Sequence, residues 1–249
     1  MEQRSFPLAS AVILGVLIGL GLALGGYFIG QGFFRAHAAD RFVTVKGLVE
    51  RDVKANLGIW VISYAVTGPD INSTSARLDQ AQQVVMAFAH AHGFTPDEIE
   101  IQPTTVNDSF ANPYQRHQND PNQRFIIKGG IKLRSNKVEG IRKASQDTGE
   151  LIKQGVVLGE NYPQAPQYYF TGLNAVRPAM LAEATKSARA VAEQFAKDSH
   201  SRLGQIRQAN QGVFEIMSRD SNGARDGDQQ STIDKKVRLV STIEYYLND

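Results

Sequence analysis

The sequence predicts an α+β fold, a mainly antiparallel sheet with helices packed on one face, preceded by one transmembrane helix. Three observations predict it. A long uncharged apolar run stands near the start, strand-like alternation recurs in neighbouring pairs, and helical periodicity appears between those pairs instead of after every single strand.

The apolar run is "ASAVILGVLIGLGLALGGYFIGQGFFRAHAAD", Ala9 to Asp40. No residue between Arg4 and Arg35 is charged, and Ser10 and Gln31 interrupt the run without giving it a polar face. About 20 apolar residues at 1.5 Å each cross a hydrocarbon core of about 30 Å, and this run is longer. Two fates fit it: a retained anchor, or a secretion signal cut after Ala38 in the small-x-small form Ala36-His37-Ala38. The length favours the anchor, because a signal's apolar region is about 7 to 15 residues and follows a clearly basic start, whereas Glu2 offsets Arg4 here. Residues 1–38 are therefore read as anchor and short linker, and 39–249 as the folded domain. Flanking charges leave the orientation open, with Arg4 on one side and Arg35, Arg41 and Lys46 on the other. Within the span, Gly15 with Gly19, Gly21 with Gly25, and Gly26 with Gly30 form GxxxG pairs of the kind that lets helix backbones approach.

From Phe42 to Thr67 the apolar residues shift parity. Val43, Val45, Val49 and Val53 are odd, while Trp60, Ile62, Tyr64 and Val66 are even, so a turn or bulge is expected in "ERDVKANLG". "GPDINSTS" supplies cap chemistry for a helix carrying Leu78, Ala81, Val84, Val85 and Phe88, which Gly93 ends. "TPDEIEIQPTTV" is extended, the polar "NDSFANPYQRHQNDPNQ" is a hairpin loop, and "RFIIKGGIKLR" is a strand. A second helix is expected from about Lys137 to Gln154, stopped by Gly155. After a short strand in "QYYFTGL", a long helix is expected with Pro178 in its first turn and Gly204 as its C-cap. "QGVFEIM" and "KKVRLVSTIEYYL" are the closing strands, the latter alternating through Val237, Leu239, Ile243, Tyr245 and Leu247.

Of 249 residues, 42% are hydrophobic and 21% charged, and the formal net charge is +2. Without a block of Lys or Arg, nucleic acid is disfavoured as a partner. With no cysteine, disulfides, thiolate metal sites and cysteine nucleophiles are all excluded. No GxxxxGK[ST], HExxH or GxSxG motif occurs, so no catalytic, cofactor-binding or metal residue is assigned. His90 and His92, two apart on a helix, point to different sides and are read as solvated or core-edge residues. His117 and His200 stand outside any motif. "DSNGARDGD" offers Asp220, Asn222, Asp226 and Asp228, but Ala224 and Arg225 break the calcium-loop pattern and no Glu closes it, leaving a flexible hairpin. The triplets at Asn72 and Asn107 match a glycosylation pattern common by chance. The alanines of the long helix, Ala182, Ala184, Ala188, Ala190, Ala192 and Ala196, are read as a face packed on the sheet.

On "VTVKG", "HGFTPDEIEIQPT" and above all "LAEATKSARAVAEQFAKDSHSRLGQI" before a paired strand ending, the chain resembles the SIMPL-domain family of bacterial envelope proteins, whose members include a periplasmic immunogenic antigen. The resemblance runs from Phe42 to Tyr246, and the family's usual Pro-Asp after the first strand is absent from "RDVKANLGIW". It implies an α+β domain exported to the periplasm, ring assembly in some members, loose links to oxidative and envelope stress, and no catalytic residues.

The expectation is a non-enzymatic, homo-oligomeric scaffold of the cell envelope, single-pass in the bacterial inner membrane with the C-terminal domain in the periplasm. Two others stand beside it: a small-ligand receptor or enzyme with a pocket near the 108–123 loop gathering Arg116 and His117, and an adaptor whose strand edge binds another envelope protein.

Overall fold

The structure, a computed structural model, describes residues 8–38, 41–111, 121–159, 165–220 and 229–248, with backbone alone for 8–11 and 32–38. Five helices are described: α1 (Leu8–Ala38), α2 (Ile71–Ala91), α3 (Val138–Gln146), α4 (Gly149–Lys153) and α5 (Leu173–Asp198). Seven strands accompany them: β1 (Phe42–Lys54), β2 (Leu57–Gly68), β3 (Ile99–Asp108), β4 (Phe125–Ser135), β5 (Gln167–Tyr169), β6 (Arg202–Ser218) and β7 (Asp234–Asn248). They form a three-stranded sheet in the order β1-β7-β6 and a four-stranded sheet in the order β3-β4-β2-β5. The chain divides into two compact units, residues 1–49, 181–213 and 240–249 in the first and 50–180 and 214–239 in the second.

In the second unit β2 pairs antiparallel with β4 from Gly58↔Ser135 to Gly68↔Phe125 and with β5 over Leu57–Ile59, while β3 pairs antiparallel with β4. The even positions of β2, Trp60, Ile62 and Tyr64, are buried with Ile131 and Leu133 of β4 beneath α2, α3 and α4, whose Val85, Phe88, Ile141 and Leu151 share that one core. This is the expected helix-on-sheet packing, and the parity shift falls at Ala55 and Asn56 as expected. There Asn56 Oδ1 accepts from Thr171 N at 2.8 Å and from its hydroxyl at 3.1 Å, which holds the turn. Across the sheet Tyr64 faces Gly129, where a methyl would stand 3.0 Å from the ring, so the glycine makes room for the tyrosine. Edge strand β3 carries Pro103 inside a register shift between Gln102 and Thr105, a device that spoils pairing with a foreign strand.

In the first unit α5 lays Ala188 and Ala192 against Val45 of β1 and Ile243 and Tyr245 of β7. Its fully buried positions Ala184, Ala188 and Ala192 recur every four residues and Ala196 continues them as a stripe, whereas Ala182 and Ala190 of the expected face are exposed, because they fall off that four-residue spacing. Along β7 Val237, Leu239, Ser241, Ile243 and Tyr245 alternate buried with half-buried neighbours, while Leu247 is only half-buried at the frayed end.

Helix α2 is capped as its sequence predicts: Ser73 N donates to Asp70 Oδ2 at 2.9 Å, and this backbone donor, ahead of all other effects, holds the Asp70 carboxyl below its ordinary range. Gly93 (φ +82°) follows it, with Gly93 N bonding His90 O and Phe94 N bonding Ala89 O. Three expectations are corrected. The helix expected over 137–154 is two helices, because the chain turns at Asp147 and Thr148, where Asp147 reaches His92 Nε2 at 3.3 Å. Pro178 lies inside α5, which starts earlier, at Leu173, so the proline forfeits one early hydrogen bond instead of opening the helix. Gly204 lies in β6, and α5 ends instead at His200, a non-glycine residue with φ 55°: Ser201 N bonds Ala196 O at 2.8 Å and His200 N bonds Lys197 O at 3.1 Å.

Candidate functional site

Helix α1 is long and apolar enough to cross a membrane over Val12–Gln31. Its large apolar side chains from Val12 to Ile29 are all at least 50% exposed, so no protein core claims them. Near the end of the span Gln31 Nε2 donates to the Tyr27 hydroxyl at 3.0 Å, which pairs two polar groups within one turn. At about 100° per residue, Gly15, Gly19, Gly26 and Gly30 fall on one face of α1 and Gly21 and Gly25 on another. A methyl at any of the six meets nothing within 4 Å in the single chain.

The second unit carries two adjoining clefts that the sequence did not single out. The first, of about 340 Å³, is walled by Trp60, Val61, Ile62, Leu158 and Pro166. Among the described residues the edge of β2 is covered in two stretches. Pairing with β5 stops at Ile59↔Gln167, and pairing resumes where Gly159 N donates to Ser63 O at 2.8 Å and Ala65 N to Val157 O at 3.0 Å. Backbone groups of alternate residues point to the same edge of a strand, so Val61 faces outward like Ser63 and Ala65. Among the described residues neither flanking segment reaches its N–H and C=O.

The second cleft, of about 400 Å³, shares Ser145, Ala165 and Pro166 with the first. Its other walls are polar: Lys54, Glu139, Arg142, Tyr168, Asp220 and Asp234. Gly58 lets Tyr168 and Ile141 press on β2, since a methyl there would sit 2.8 Å from Ile141 Cδ1 and 3.5 Å from the tyrosine ring. Burial pushes the Tyr168 phenol up to about 12, with the nearby Arg142 guanidinium opposing and the Glu139 carboxylate adding. Glu139 and Arg142 pair at 2.7 Å, and Arg219 lies 3.3 Å from Asp220 and 3.7 Å from Asp234.

A third polar cluster is structural. Glu98 accepts from the Ser135 hydroxyl at 2.5 Å, from Thr95 N at 2.9 Å and from Lys137 Nζ at 3.0 Å, while Lys137 also donates to Gly93 O at 2.8 Å. Partial burial raises the Glu98 carboxyl, but the hydrogen bonds from Ser135, Thr95 and Lys137 outweigh it and bring the group to about 2.

His90, exposed, and His92, half-buried, fall where a solvated or core-edge reading puts them. His90 Nδ1 lies 3.0 Å from Phe94 O, and His92 Nδ1 lies 2.9 Å from Phe88 O. His200 serves the α5 terminus. His117 and Arg116 lie outside the described residues, as do residues 112–120 of the loop near which a pocket was expected and residues 221–228 of the "DSNGARDGD" loop. Asn72 sits in the first turn of α2 and Asn107 near the end of β3.

No curated protein matches the chain. A family model described as SIMPL, protein of unknown function (DUF541), matches residues 43–244, which is most of the chain and nearly the stretch over which the sequence resembles that family. The chain from β1 to β7 belongs to the SIMPL family.

Proposed function

We propose that α1 is retained as an anchor in the bacterial inner membrane, that residues 39–249 stand in the periplasm, and that the protein is a non-enzymatic, oligomeric scaffold of the cell envelope with a part in oxidative or envelope stress. The observation that carries this reading is the exposed apolar surface of Val12–Gln31, followed with only residues 39–41 between helix and strand by a SIMPL domain. The glycine face of Gly15, Gly19, Gly26 and Gly30 supports helix association in the membrane. A second reading, an adaptor binding another envelope protein, draws on β6, an edge strand whose Gln205–Gln211 are all exposed.

The absence of cysteine makes the test direct. Single cysteines at Ser5 and Ser231 are labelled in whole cells with an impermeant maleimide, and the membrane fraction is weighed intact. Labelling at Ser231→Cys alone, an unprocessed mass and a single large species by light scattering are expected. A chain starting at Ala39 overturns the anchor. A monomer overturns the scaffold. If the span contributes to assembly, replacing Gly15, Gly19, Gly26 and Gly30 by Leu leaves an oligomer that dissociates more readily in detergent.

A further inference from the structure

We propose that His92 is a proton-operated latch between helices. With a proton on both ring nitrogens it ties the end of α2 to the α3–α4 turn through Asp147, and on losing one of them it releases that turn. The latch lies within the second unit and does not depend on the scaffold reading.

The contacts of the ring set how many protons it needs. Nδ1 lies 2.9 Å from Phe88 O, and Nε2 lies 3.3 Å from Asp147 Oδ2. A carbonyl oxygen and a carboxylate oxygen only accept, so both nitrogens have to donate, and only the imidazolium carries two N–H groups. The nearest surroundings favour the same form. His92 is the C-cap of α2, where the helix dipole draws a cation, and the Phe88 ring stands 4.2 Å away between centroids with its π electrons. The His92 side chain is 13% exposed, so little water competes for either bond.

Other charged groups stand near the ring. On α2, His90 turns its Nδ1 to Phe94 O at 3.0 Å. Beyond the helix end, Lys137 Nζ bonds Gly93 O at 2.8 Å, and Glu98 meets its charge at 3.0 Å. On α3 and α4, Lys143 and Glu150 flank Asp147 along the chain. Among the described residues the Asp147 carboxylate is the charged group bonded to the His92 ring.

Loss of a proton opens one particular contact. A neutral imidazole donates from one nitrogen and presents a lone pair at the other. The Phe88 bond lies within a single helical turn, whereas the Asp147 contact joins elements that can separate, so a lone pair at Nε2 facing a carboxylate breaks the latter. What the latch holds is α4, Gly149–Lys153. Five residues do not sustain a helix by themselves, and the N-cap Thr148 makes no side-chain capping bond among the described residues. The first backbone bonds of α4 run from Glu150 N to Asp147 O at 2.9 Å and from Leu151 N to Thr148 O at 3.1 Å. Fixing Asp147 therefore fixes the start of α4, which keeps Leu151 fully buried in the core. The latch is closed at mildly acid pH, above the range in which carboxylates titrate, and opens as rising pH takes the second imidazole proton.

The full-length protein in a non-ionic detergent is followed by hydrogen exchange at about pH 5.5 and about pH 8.5, each rate being divided by that of an unstructured peptide at the same pH. Amides 150–154 are expected to be at least fivefold better protected at the acid pH, with those of β4 unmoved. His92→Gln and Asp147→Asn each remove the difference. His90→Gln and His200→Gln keep it, which separates the latch from the other imidazoles. Nitrogen-15 spectra of the wild-type chain labelled at histidine need no variant to fold: at the acid pH both nitrogens of the His92 ring are expected to be protonated. Equal protection of 150–154 at the two pH values in the wild type, a difference that survives His92→Gln, or a neutral His92 ring at the acid pH each overturns the latch.

Discussion

A methyl group placed on Gly47 of β1 would lie 1.9 Å from the carbonyl oxygen of Ala184 in α5. The strand and the helix backbone are in contact at that point, between buried Val45 and Val49. Because the obstacle is backbone, relief requires moving α5 off the strand. Gly47→Ala is expected to lower stability by about 2 kcal/mol or more, read as a lower urea midpoint with an unchanged slope. A midpoint equal to the wild type would show that the close approach is absent.

Glu98 gives the protein an acid limb. Its carboxyl sits at about 2 in the folded chain against an ordinary value of 4.5, so the unfolded state binds more protons between those values. The stabilisation is therefore complete above about pH 4.5 and is lost as pH falls toward 2. The Glu98 side chain is 19% exposed, so its contribution is set on the order of 2 kcal/mol, short of what the full shift would give. Glu98→Gln should be less stable at pH 7, and the difference should shrink below pH 4.5 and close only toward pH 2, in urea titrations at stepped pH. Parallel curves for the two proteins would contradict this.

His200 occupies a left-handed position that glycine fills without strain. His200→Gly is expected to stabilise by about 1 kcal/mol, seen as a higher thermal midpoint. A loss instead would mean that the imidazole itself holds the α5 terminus.

Tyr245, 1% exposed, buries a hydroxyl without a hydrogen-bond partner among the described residues, and burial pushes its phenol above the ordinary range. Tyr245→Phe keeps the ring that packs on Ala188 and Ala192 and removes the unpaired oxygen. A gain of about 1 kcal/mol in unfolding free energy is expected. A loss of similar size would reveal a bond that Tyr245 makes in solution.

Elements with a strong period were legible from residues alone. The alternation of β7 and the spacing of Leu78, Val85 and Phe88 in α2 each correspond to one buried surface, and the apolar span of α1 to an exposed apolar helix. Boundaries set by single tertiary contacts were not. Nothing near Asp147 breaks helical periodicity, and the turn there coincides with the reach to His92 on another helix. Gly204 was the natural cap by residue type, yet the Ser201-to-Ala196 bond places the turn at His200. The clefts were invisible for a related reason. Trp60, Ser145, Leu158 and Pro166 come from separate elements, and only the fold brings them together. The one cue was the lone tryptophan on a strand.

The sheet order β1-β7-β6 also sets a timetable. The strand nearest the membrane helix has β7 as its sheet neighbour, so its ladder can form only after nearly the whole chain has been made. Closing so long a loop before any contact is gained makes assembly of the first unit slow compared with the local pairing of β2, β3 and β4. A chain leaving a ribosome therefore stays loosely held at β1 until β7 arrives. Folding of the first unit then needs no separate device to delay it, since the late partner of β1 already imposes the delay.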